Sequence, residues 1–195
     1  MAITIGDYNG VGPEVVLKSL RNRRVRQICT PVVVGPDDPL SFYAERLGYP
    51  TRLILPGGAR SRPSARPVSA VILEIPPGLR RCNVRPGAVS AQAGRTAVRT
   101  IEHAFRLVSR GDADALVTAP LSKKAIHQAG TSLPGQTELL QNLSSSRRVA
   151  MMLVSEPLRI GLVTIHVPVR KVAHLISRSL LREKIEVVHE ALLRD

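Results

Sequence analysis

The chain has 195 residues, of which 44% are hydrophobic but only 3% aromatic, with no tryptophan. This is enough for one large or two small α/β domains with an aliphatic core, and too apolar for a disordered polymer. Lys and Arg number 28 against 15 Asp and Glu, a formal net charge of +13. A surplus of that size attracts anions, but the arginines are scattered and no basic run alternates with aromatic residues, so base stacking has almost no material and a nucleic-acid partner is not expected.

No apolar run approaches the roughly 20 residues needed to cross a bilayer. The opening MAITIGDYNG lacks a basic region followed by an apolar stretch, so no secretory signal is read there and a cytoplasmic protein without a membrane partner is expected. Cys29 and Cys82 lie far apart without metal-ligand spacing and read as reduced thiols.

In chain order, Ile3-Thr4-Ile5 reads as a first strand running into the glycine-punctuated turn Gly6–Gly12. Pro13 and Glu14 suit the first turn of a helix carrying Val15, Val16, Leu17 and Leu20. Pro31–Val34 is a second strand, and Asp38 followed by Pro39 is expected to cap a helix through Leu47. Arg52–Leu55 reads as a third strand, and Pro56–Ser69, rich in Pro, Gly and Arg, as a surface excursion. Val71–Ile75 returns to strand, and Pro76–Pro86 is an irregular connection. Ser90–Arg110 is the longest helix, with Ala97, Ile101, Ala104, Phe105 and Val108 at helical spacing and Gly111 at its C-cap. Val149–Val154 and Arg159–Ile165 are strands, the second ending at His166-Val167-Pro168. Ser179 is expected to cap a last helix with Leu180, Ile185, Val188 and Leu192 on one face. β-Branched strands alternating with helices predict a three-layer α/β/α fold. The expected domains are residues 1–125 and 126–195.

The stretch Leu116–Leu140, LVTAPLSKKAIHQAGTSLPGQTELL, places a short apolar strand before a polar loop with two lysines. A glycine-proline loop follows and delivers Gln136, Thr137 and Glu138 to the next apolar segment. Open α/β sheets build ligand sites at the carboxyl ends of their strands, and lysine beside a helix start suits a phosphate or carboxylate. The competing reading is a solvated loop. His166, at a strand's end, can serve as metal ligand or base, but a lone histidine is more often structural. No nucleophile elbow is present, so no catalytic nucleophile is assigned.

Four segments together resemble the 4-hydroxythreonine-4-phosphate dehydrogenase family of pyridoxal phosphate biosynthesis. They are IGDYNGVGPE (Ile5–Glu14), LVTAPLSKKAI (Leu116–Ile126), PGQTEL (Pro134–Leu139), and the MML and LRIGLVTIHVPV runs within Met151–Val169. The resemblance implies an isocitrate/isopropylmalate dehydrogenase-like fold, truncated here. It further implies NAD and a divalent metal (zinc, magnesium or cobalt), and oxidation with decarboxylation of 4-phosphooxy-L-threonine, a small phosphorylated amino acid. The complete protein would be a homodimer. By the same resemblance His166 is a metal ligand, Gln136 and Thr137 contact substrate, and Lys123 is an active-site cation. Gln136 stands where the family has histidine, and an amide can donate a hydrogen bond but carries no charge. The family's G-L-N-P-H-A-G-E and H-D-Q-G segments, which supply further metal histidines, are absent. The alternatives are therefore a catalytically inactive fragment or anion-binding remnant and, more remotely, a basic nucleic-acid-binding domain.

Overall fold

A computed structural model describes residues 1–49, 52–54, 70–79, 81–132 and 135–193. The expected excursion Pro56–Ser69 lies outside the described residues. The chain divides into two compact units, Met1–Leu140 and Gln141–Asp195.

The first unit is built on a parallel sheet. Its strands are β1 (Ala2–Thr4), β2 (Val32–Val34), β3 (Arg52–Ile54), β4 (Ala70–Glu74) and β5 (Leu116–Thr118). Their order is β3-β4-β2-β1-β5, and every pairing is parallel. Ile3 aligns with Val33 and with Val117 across the sheet. Three-residue strands suffice because the sheet is covered on both faces. On one face Ile3, Ile5, Val33, Val71 and Leu73 pack with Val16, Leu17 and Leu20 of α1 (Gly12–Arg21) and Leu40 and Tyr43 of α3 (Asp37–Arg46). On the other, Ala2 and Val34 meet Ala104 of α4 (Ala91–Ser109). The expected three layers are present in this unit. Short α2 (Arg23–Ile28), which sequence reading passed over, starts at Asn22, whose side chain accepts from Arg24 N–H.

Two capping expectations change. The N-cap of α3 is Pro36, without a side-chain cap; the Asp38 carboxylate instead accepts the Cys82 backbone N–H at 2.9 Å. That bond fastens the irregular connection after β4 to α3, a tertiary partner that local pattern does not reveal. Ser90 does cap α4, accepting from Ala93 N–H at 3.1 Å, and Gly111 follows the helix with φ +76°.

The unit boundary falls at Leu140, later than the division at residue 125 expected from sequence. The reason is α5 (Lys123–Gln128), which packs directly on α4. A methyl group on Gly94 of α4 would sit 2.1 Å from the Ala125 carbonyl oxygen, so the two helices touch backbone to backbone and α5 belongs to the first unit.

The second unit takes over within α6 (Gln136–Ser144), which crosses the boundary. β6 (Met151–Ser155) and β7 (Leu158–Leu162) form an antiparallel hairpin, followed by α7 (Val169–Leu175) and α8 (Arg178–Leu192). The cap of α8 is Ser177, not Ser179: Ser177 Oγ accepts from Leu180 N–H. None of the described residues after Leu140 is buried, and Ile185, expected on an inner face, is 61% exposed. The unit is held by polar clasps. Arg148 pairs with Glu186 and Glu190 at 3.2 and 3.1 Å, and Lys184 donates to the Val149 carbonyl at 2.8 Å.

Candidate functional site

The sheet order creates a crevice by topology. From β1 the chain passes to β2, goes out to the edge strand β3 and comes back to lay β4 between β2 and β3, then returns through α4 to place β5 on β1's free side. At the carboxyl ends of β1 and β5 the following loops therefore leave in different directions, which is where open α/β sheets hold ligands.

The two loops are locked together. Asp7 N–H donates to the Pro120 carbonyl at 3.0 Å. A methyl group on Gly6, which has φ +68°, would lie 2.1 Å from that same oxygen, and one on Gly12 would lie 2.2 Å from the Ile5 carbonyl oxygen. Only glycine permits this approach. This explains the glycines of the first strand-to-helix turn without a dinucleotide fingerprint.

Asp7 is buried, and its Oδ1 accepts Asn9 N–H at 2.9 Å. Burial raises its pKa above the ordinary carboxylate value, with the Asn9 bond opposing the shift. Asn9 is also buried, and it holds a third loop at this edge. Its Oδ1 accepts Arg85 N–H at 2.8 Å and its Nδ2 donates to the Ala88 carbonyl at 3.0 Å. Sequence reading missed both residues as site-builders. The signal available was two hydrogen-bonding side chains set between closely spaced glycines at a strand's end.

Around β5 the predicted residues converge. Lys123 opens α5, and Gln136 and Thr137 open α6. Gln136 Nε2 donates to the Ala119 carbonyl at 2.8 Å, and Thr118 Oγ1 donates to Gln136 Oε1 at 3.1 Å. A methyl group on Gly135 would lie 3.3 Å from Glu138 Oε2 and 3.8 Å from Lys123 Cε, so the lysine stem reaches the start of α6. Lys123, Gln136 and Thr137 thus occupy one edge of the first unit. Lys123 and Gln136 bring an ammonium and an amide to this edge, groups suited to an anionic oxygen-rich ligand.

His166 belongs to the second unit. It is exposed, follows β7, and has a positive φ of 55°, a backbone conformation uncommon outside glycine. Among the described residues no group of three or more His, Cys, Asp or Glu lies close enough together to hold a metal ion. One imidazole does not satisfy a catalytic metal, which takes about three protein ligands, so the described residues do not by themselves fit one. Cys82 offers no nucleophile: burial, then the Asp38 carboxylate, push its thiol pKa to about 11, leaving it protonated at neutral pH. No helix among the described residues is long and apolar enough to cross a membrane.

Comparison with known proteins places the chain in a family. The sequence model of the family described as pyridoxal phosphate biosynthetic protein PdxA matches residues 27–195. The D-threonate 4-phosphate dehydrogenase of Cupriavidus necator is 38% identical over 194 residues, covering 100% of this chain and 57% of the relative. The 4-hydroxythreonine-4-phosphate dehydrogenase of Geobacter metallireducens is 36% identical, with the same shares covered. A crystal structure of a 4-hydroxythreonine-4-phosphate dehydrogenase from Burkholderia phymatum superposes with a TM-score of 0.87 at 34% identity, covering 98% of this chain and 57% of that one. The chain spans little more than half the length of these relatives, and its fold is the isocitrate/isopropylmalate dehydrogenase-like fold of that group.

Proposed function

Since the chain belongs to the pyridoxal phosphate biosynthetic protein PdxA family, a family of dehydrogenases, we propose that it carries the substrate-facing edge of an NAD-dependent dehydrogenase. The substrate is a C4-phosphorylated threonine-like acid, 4-phosphooxy-L-threonine or D-threonate 4-phosphate, the two kinds named among the relatives. The observation that supports this best is the convergence of Gln136 and the Lys123 stem at the carboxyl end of β5, beside the locked β1 loop, with Thr137 next in α6.

In the proposed reaction the hydroxyl-bearing carbon gives hydride to NAD, the hydroxyl proton leaves, and the resulting β-keto acid loses CO₂. The part of this chain is binding and orientation. The Lys123 ammonium neutralises an anionic group, and Thr137 and Gln136 donate to substrate oxygens, fixing which carbon faces the acceptor. The family's divalent metal finds too few ligands among the described residues, and no step is assigned to it here. In a protein of the relatives' length His166 would be one ligand among others, and a homodimer is proposed on the same ground.

A titration of the purified chain with each phosphorylated acid and with its unphosphorylated counterpart tests the binding role. The expected result is calorimetric binding of a phosphorylated acid only, weakened about fivefold to tenfold by Thr137→Ala, the loss of one hydrogen bond. Equal binding of the variant would remove Thr137 from the site. A second reading, an anion-binding family member without catalysis, is favoured by the lack of a three-ligand group among the described residues. It predicts the same binding but no NAD reduction.

A further inference from the structure

The Gln136 side chain is held by two partners of different kinds, and together they determine which way its amide faces. The Ala119 carbonyl oxygen can only accept, so the atom 2.8 Å from it is the amide nitrogen. The carbonyl oxygen of the amide then faces Thr118, whose hydroxyl lies 3.1 Å away and must supply the proton. Thr118 is the last residue of β5, and Ala119 begins the loop that presses on Gly6 and Asp7. The amide is therefore tied to the same strand end that forms the crevice.

One N–H of the Gln136 amide is taken by Ala119, and the oxygen is taken by Thr118. What remains without a partner among the described residues is the second N–H. We infer that Thr118 is a positioning residue that makes position 136 a fixed N–H donor, selecting a ligand oxygen acceptor there over an ammonium or other donor group. Without the Thr118 hydroxyl the amide has one anchor instead of two, and it can swing between donor and acceptor presentations. This deepens the reading of Gln136 as a substrate contact and rests on it for the ligand, although the orientation itself is independent of any ligand.

The test uses the whole chain and nuclear magnetic resonance of the Gln136 side-chain amide. In the wild type one of its two N–H protons, the one on Ala119, should exchange with water distinctly more slowly than the other. Thr118→Val should abolish that difference, and Thr118→Ser, which keeps the hydroxyl, should restore it. Titration with D-threonate 4-phosphate and with 4-phosphooxy-L-threonine should shift the faster-exchanging proton, and Thr118→Val should weaken that binding about threefold to tenfold, the worth of one hydrogen bond. Gln136→His should make the binding pH-dependent between about pH 6 and 7, where imidazole titrates, whereas the wild type shows no such step from this position.

Equal exchange of the two wild-type protons would overturn the inference without any variant being made. An unchanged exchange difference in Thr118→Val would overturn it too. Protection that follows the Thr118 hydroxyl, in a chain that binds neither phosphorylated acid, would uphold the positioning role and reject the substrate reading instead.

Discussion

Asp7 shows most clearly how single residues carry tension at this site. Its carboxyl group is buried beside the β1–β5 junction and its pKa is raised by that burial. A carboxyl group with a raised folded-state pKa binds its proton more tightly in the native chain than in the unfolded one, so its effect on stability becomes more favourable as pH falls through the folded value. At neutral pH the buried charge is a cost. Asp7→Asn keeps an oxygen for the Asn9 N–H and removes the charge. Thermal unfolding at pH 7 should therefore show the variant as the more stable, and the gap should close below about pH 4, where the carboxyl group is neutral in both states. A variant less stable at pH 7 would mean that an unrecognised partner compensates the charge. The sequence exposed Gln136, Thr137 and Lys123 through the motifs they sit in. It did not expose Asp7, Asn9 or Thr118, because their partners come from segments distant in sequence, the β4–α4 connection for Asn9 and the stretches after β5 for Asp7 and Thr118.

At the scale of elements, periodicity and punctuation located most of the helices and strands. Pro13 marks the start of α1, Ser90 caps α4, and Val32–Val34 is a strand. The misplaced features share a physical cause. Asp38 has the chemistry of a cap but is claimed by Cys82 N–H 44 positions away in sequence, and Phe105 repeats at core spacing but is only half-buried. Tertiary partners decided both. The contact of α4 with α5 was likewise invisible, since Gly94 inside a helix pattern reads merely as a weak helix former. Its backbone contact with Ala125 instead makes it a packing residue. Gly94→Ala would raise intrinsic helix propensity, yet it should destabilise the protein by about 1–3 kcal/mol or more in denaturant unfolding, because the added methyl group meets backbone that cannot rotate away. An unchanged or raised midpoint would show that α5 can slide off α4 at no cost.

Over the whole molecule the two units differ in kind. The first has a double-sided core of Ile5, Tyr8, Leu73 and Ile101. The second has no buried residue among those described, and it exposes Leu153, Val154 and Leu158 along its hairpin. α8 packs on β7, with Val188 against Gly161, but this leaves no described residue of the hairpin buried, and a two-stranded hairpin so thinly covered is marginal in water. Native-state hydrogen exchange should therefore show the amides of β1 and β2 protected near the global limit and those of β6 and β7 exchanging orders of magnitude faster. Equal protection would mean that the hairpin is covered in solution. The relatives, whose length this chain only partly spans, carry more polypeptide than is matched here.

The most direct test of the proposed dehydrogenase role joins the two. The chain is fused to the unmatched remainder of the Cupriavidus necator relative, and NAD reduction is followed with D-threonate 4-phosphate and with 4-phosphooxy-L-threonine in the presence of a divalent metal. Turnover of at least one of the two, lost in His166→Ala, is the predicted result. A folded fusion that binds these phosphates without reducing NAD would contradict the dehydrogenase reading and leave an anion-binding protein in its place.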